Sequence, residues 1–99
     1  MINREQVRAE LAAAILHMAS RMTSSLLAVR LGIDPPKVAA LRNGRLAIFS
    51  LERLMHLATR LGHDVQITLR PHPPTNHRRA RYGEVQVVDQ SDPEKISII

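Results

Sequence analysis

The chain contains no cysteine and no tryptophan. Without thiols it can form no disulfide framework, thiolate nucleophile or zinc finger. Phe49 and Tyr82 are its only aromatic residues, which argues against folds that read single strands by stacking bases on aromatic side chains. Acidic residues are scarce: nine Asp and Glu stand against fourteen Lys and Arg, leaving a net charge of +5 with histidine neutral. No apolar run is long enough to span a bilayer. The polar opening MINREQVRAE lacks the apolar segment of a secretory signal. A cytoplasmic protein without a membrane partner is therefore expected. No glycine-rich phosphate loop occurs. The five histidines (His17, His56, His63, His72 and His77) include no pair at the i, i+4 spacing of a helical metal site. Ser24-Ser25 has no recognisable base partner and reads better as helix-start chemistry. Neither an enzyme, a metal site nor a cofactor is expected.

What remains is 99 residues with 44% hydrophobic content. That length fits one domain with a limited core, of a size that often gains stability by dimerising. The basic balance points to a polyanionic partner. By count, residues 1–71 carry ten Lys and Arg against five Asp and Glu, whereas residues 72–99 carry four of each. The basic footprint thus belongs to the first part of the chain.

The stretch Thr23–Gly44, TSSLLAVRLGIDPPKVAALRNG, reads as two short helices joined by a tight turn. Thr23 is a good N-cap, and Leu27, Ala28 and Leu31 fall at helical spacing. Gly32 breaks the first helix where a positive φ is needed. Ile33 plugs the turn, Asp34 can cap the second helix, and Pro35 suits its first position. Val38 and Leu41 face inward, and Asn43-Gly44 ends the helix. This is the helix-turn-helix arrangement, whose second helix enters the DNA major groove. Its outward face is expected to hold Lys37 and Ala40, with Asn43 at the end. Lys37 suits guanine O6 and N7, and Asn43 suits adenine or a phosphate. Arg42 and Arg45, flanking Gly44, suit phosphates. The candidate DNA-contacting set is Thr23, Ser24, Ser25, Pro36, Lys37, Ala40, Arg42, Asn43 and Arg45.

Before this motif, a first helix is expected from about Asn3 to Arg21, with Asn3 as cap and an apolar stripe of Val7, Leu11, Ile15, Met18 and Met22. After it, Leu46, Ile48 and Phe49 are too apolar for a free loop and should pack down. Ser50 caps a further helix with the stripe Leu51, Leu54, Met55, Ala58 and Leu61, ended by Gly62. Arg60 near its end complements the helix dipole. The period then changes. In HDVQITLR, Val65, Ile67 and Leu69 alternate with polar residues, as in a half-buried strand. A lone strand needs a partner. The same strand of a second copy would supply one across a two-fold axis, making Val65, Ile67 and Leu69 the candidate dimerisation residues. Glu84–Val88 is a candidate further strand at the edge of that sheet. Residues 72–99 otherwise read as a tail, with a turn-like Pro-rich start, a short basic patch at His77–Arg81 and an acidic, then apolar, end.

Four blocks resemble the Cro/XRE-type helix-turn-helix proteins, in particular small proteins of the HigA-type antitoxin subgroup. They are ELAAAI (Glu10–Ile15), LAVRLGI (Leu27–Ile33), KVAALRNGRL (Lys37–Leu46) and FSLERLMHLATRLGHDVQITLRP (Phe49–Pro71). The resemblance implies a mainly α fold: a lambda-repressor-like domain of four to five helices over residues 1–71, with a C-terminal β-strand used in dimerisation. It implies operator binding as a homodimer. Many relatives are encoded beside a RelE-like ribonuclease toxin, which they neutralise while repressing their own operon. The chain departs from the family pattern at Ser24, where relatives usually carry Gln, and at Asp34-Pro35 and Ala39-Ala40, where they carry more hydrogen-bonding side chains. Asp34 faces phosphates unfavourably unless its carboxylate is occupied as the cap. The alternative is therefore a protein-interaction module that keeps the fold and has lost base readout.

Overall fold

The computed structural model describes residues 3–72 and 83–90. The basic patch at 77–81 and the acidic-then-apolar end at 91–99 lie outside the described residues. Four α-helices follow in order: α1 Arg4–Met18, α2 Ser24–Leu31, α3 Pro35–Arg42 and α4 Leu51–Arg60. Side-chain caps start three of them. Asn3 accepts from the Gln6 N–H at 3.1 Å, Thr23 from Leu26 at 3.2 Å and Ser50 from Arg53 at 3.0 Å. Each satisfies a donor that the first helical turn leaves unpaired.

One device ends α2, α3 and α4. The N–H of the residue after the terminal glycine bonds back to a carbonyl in the last helical turn: Ile33 to Ala28 at 3.1 Å, Arg45 to Ala40 at 2.9 Å and His63 to Ala58 at 3.3 Å. This closure places its central residue in the left-handed region, which Gly32 occupies at φ +69°. The first helix is shorter than its apolar stripe predicts. Residues 19–22 instead turn through short-range bonds, Ser20 N–H to His17 and Met22 N–H to Ala19, to deliver Thr23 in the extended conformation a cap needs.

The core lies where α1 and α2 pack on α4, and α2 on α3. Ile15, Leu27, Leu31, Val38, Leu41, Leu54 and Leu57 are its large, fully enclosed side chains. Phe49 seals it from the α3–α4 connection, with Leu46 at its margin. Ile48 does not pack down as expected and is 63% exposed. The turn anchors itself through its two neighbours, and the Phe49 N–H bonds to the Leu46 carbonyl at 2.9 Å. The α1 stripe is also displaced: Val7, Ala12, Ala14, Ile15 and Ala19 are buried, whereas Leu11 and Met22 only border the core. Six of the sixteen buried apolar residues are alanines: Ala12, Ala14, Ala19, Ala28, Ala40 and Ala58. Five of them, all but Ala14, belong to the core cluster, where a methyl group takes little room between neighbouring side chains.

No strand forms among the described residues. After α4 the chain continues as an arm through residues 64–72 without regular structure. Val65, Ile67 and Leu69 are 39%, 75% and 93% exposed. A ladder needs a second backbone paired in register, and among the described residues none pairs with this arm. The expected strand at Glu84–Val88 is likewise absent. Instead, this segment meets α1, where the Val87 N–H donates to a Glu10 carboxylate oxygen at 3.2 Å. A side chain thus takes a donor that a ladder would have used.

Candidate nucleic-acid interface

The two helices of the turn motif are held by side chains far apart in sequence. Arg42, at the end of α3, donates from Nη2 to the Met22 carbonyl at 3.1 Å. That carbonyl immediately precedes the Thr23 cap, so the end of α3 sits against the start of α2. Thr23, Ser24 and Ser25 are exposed there. Arg60, on α4, donates from Nε to the Arg30 carbonyl at 3.1 Å, closing one of the free carbonyls at the end of α2. Its guanidinium lies over Gly32, so close that a β-carbon there would stand 2.9 Å from Nη2. Gly32 is favoured by its φ, and a β-carbon there would also make this guanidinium shift. The sequence suggested only a dipole role for Arg60. A contact spanning thirty residues leaves no local signal.

The outward surface of α3 and its flanks carries Asp34, Pro35, Pro36, Lys37, Ala39, Arg42, Asn43 and Arg45, all exposed. Val38 and Leu41 are buried as expected. Ala40 is not part of this surface. It is 7% exposed and packs in the hydrophobic core, and its carbonyl accepts from the Arg45 N–H in the turn that closes α3. An alanine carries no polar atom to betray its face, so the helical wheel misplaced it. Arg42, expected to suit a phosphate, is exposed and gives one guanidinium nitrogen to the Met22 carbonyl.

Asp34 holds the N-cap position of α3 with extended backbone, yet its side chain makes no capping bond. Pro35 and Pro36 occupy the first two helical positions and have no N–H, so the third-position N–H, the donor that the other three caps use, is the one left. The next N–H, that of Lys37, bonds to the Asp34 main-chain carbonyl at 2.9 Å. The expected side-chain cap is thus replaced by a carboxylate that the helix leaves free.

Among the described residues no group of His, Asp or Glu is arranged to hold a metal ion, and no helix is long and apolar enough to cross a membrane. The surface is built of cations, hydroxyls, one amide and the Asp34 carboxylate along the exposed side of α3 and the start of α2. Such a surface can donate to phosphates and base edges.

The profile of a family described as a helix-turn-helix domain matches residues 3–70. A solved structure described as an XRE family transcriptional regulator superposes with a TM-score of 0.76 at 39% sequence identity, covering 86% of this chain and 93% of that one. No curated protein matches the chain. The match over residues 3–70 and the 39% identity across most of both chains establish that this chain belongs to the XRE family of helix-turn-helix regulators.

Proposed function

We propose that this protein is a sequence-specific transcriptional regulator that binds operator DNA as a homodimer, and that it serves as the autorepressing antitoxin of a toxin–antitoxin pair. The observation that carries DNA binding is the solvent-facing surface of α3, where Lys37 and Asn43 stand exposed while Val38, Ala40 and Leu41 anchor the helix beneath. In this reading α3 lies in the major groove. Lys37 and Asn43 address base edges, with Pro36 against the groove wall. Thr23, Ser24, Ser25 and Arg45 address phosphates, and Arg42 shares its guanidinium between phosphate and the Met22 carbonyl.

The dimer reading is supported by the arm. Val65, Ile67 and Leu69 alternate along it and are exposed in the single chain. Pairing the arms of two copies would satisfy their backbone groups and cover these side chains. The two α3 helices would then address half-sites about one DNA turn apart. The toxin partner, a RelE-like ribonuclease, rests on the resemblance of Phe49–Pro71 to the antitoxin subgroup.

One observation favours a second reading, an interaction module without base readout. Pro35, Pro36 and Ala39 give the outer face of α3 few hydrogen-bonding groups. Fluorescence anisotropy on operator duplex across a salt series separates the two. With six to ten phosphates neutralised, affinity falls roughly 10³- to 10⁵-fold between about 50 and 200 mM salt. A flat response, or no binding at low salt, rules out the DNA reading. Lys37→Ala is expected to relax base preference, and Arg45→Ala to weaken all sequences alike.

A further inference from the structure

We infer that Asp34 is a specificity-determining residue of the DNA interface, and that its carboxylate selects cytosine by accepting from the exocyclic N4 amine in the major groove; this rests on the DNA-binding reading above. An aspartate at a helix N-cap normally gives its oxygens to the N–H groups of the first turn. Here that outlet is closed. Pro35 and Pro36 supply no N–H, and the Lys37 N–H is held by the Asp34 main-chain carbonyl at 2.9 Å. The residue is exposed, at the leading end of the helix that carries Lys37. Its backbone is also fixed. A residue before proline is confined to extended conformations, and Asp34 sits at φ −71°, ψ 149°. The result is an acceptor-only group, free of partners within the helix, on a rigid mount.

Base chemistry then decides what such a group tolerates. Guanine and thymine present acceptors to the major groove and repel a carboxylate. Adenine offers its N6 amine but sets the N7 acceptor beside it. Cytosine alone offers an amine with no neighbouring acceptor. Lys37, one turn along, is a donor-only group matched to guanine O6 and N7. Together the two residues present an acceptor and a donor, the complement of the amine and acceptors that a C·G pair displays. The carboxylate, unfavourable beside phosphates, becomes favourable at a base edge.

Selection from a random duplex library by the full-length wild-type chain and by Asp34→Asn tests this. The wild type is expected to show one cytosine position per half-site, preferred by roughly five- to a hundredfold over the other bases. In D34N that position loses its cytosine preference and shifts toward adenine, which an amide pairs bidentately. The guanine position assigned to Lys37 stays unchanged. Since the carboxylate caps nothing, the variant keeps its helix content, read by circular dichroism. If D34N instead tightens binding to every sequence alike, the carboxylate only repels phosphates and the inference fails. An unchanged preference also overturns it. A wild type that enriches no sequence removes the DNA reading itself, and the inference with it.

Discussion

Substituting Gly32 by alanine probes how α4 sets the geometry of the turn motif. Two separate effects are expected. An alanine at φ +69° occupies the left-handed region, unfavourable by about 1–2 kcal/mol. Its β-carbon also falls 2.9 Å from Arg60 Nη2, so the guanidinium must shift, and the shift is expected to release the Arg30 carbonyl. That bond is 3.1 Å long and exposed, so its net loss is about 1 kcal/mol. Gly32→Ala should therefore destabilise by about 2–3 kcal/mol in all. Arg60→Ala alone removes only the bond, about 1 kcal/mol. In the double variant the bond is lost once, so the total should equal that of Gly32→Ala alone. The two substitutions are thus expected to be sub-additive by about 1 kcal/mol. Urea denaturation followed by circular dichroism measures all four proteins, at one fixed protein concentration because a dimer's stability depends on it. Strict additivity would refute the reasoning, since it would mean that the guanidinium accommodates the methyl group without releasing Arg30.

The three caps should separate cleanly by the same assay. Thr23→Ala and Ser50→Ala each lose an observed capping bond and should destabilise by about 1 kcal/mol, whereas Asp34→Ala loses none and should stay within about 0.5 kcal/mol. Introducing lysine at both Ile67 and Leu69 should convert a dimer to monomers in sedimentation equilibrium while leaving helix content intact, because neither side chain contributes to the core; a dimer that survives would locate its interface elsewhere.

Helix boundaries were legible wherever the chemistry is local. Thr23, Ser50, Gly32 and Gly62 announce starts and stops through bonds within one turn, and the structure puts each at that task. Large apolar residues were legible too, since Leu27, Val38, Leu41 and Leu54 fall at helical spacing. Three kinds of feature were not. Alanines such as Ala40 look the same on either face of a wheel. Contacts that reach twenty or thirty residues, those of Arg42 and Arg60, have no local period. The cap at Asp34 failed because residue preference spoke for its side chain, while two prolines remove the first donors and the Asp34 main-chain carbonyl takes the Lys37 N–H. The alternation in Val65–Leu69 marks a segment suited to pairing, but pairing is a property of two backbones and one chain alone does not display it. In the candidate interface, the exposed positions of Lys37, Asn43 and Arg45 agree with the sequence reading. The bond from Arg42 to the Met22 carbonyl arises only when the chain folds.

The six buried alanines bear on how such a chain can change over time. At Leu54 or Leu57 a swap to another large aliphatic residue can be absorbed by rearranging neighbours. At Ala12, Ala28 or Ala58, helical residues each 8% exposed or less in the core, an added carbon overpacks the interior, a penalty of about 1–3 kcal/mol. Truncation to glycine offers no escape, since it weakens a helix interior by about 1 kcal/mol. These sites permit drift in neither direction. The bulky centre can vary in identity while the small contacts around it stay fixed, so the spacing between helices outlasts the side chains that fill it. A domain with that asymmetry can exchange the residues on its exposed surface, and with them what it recognises, without altering the angle at which α3 is presented.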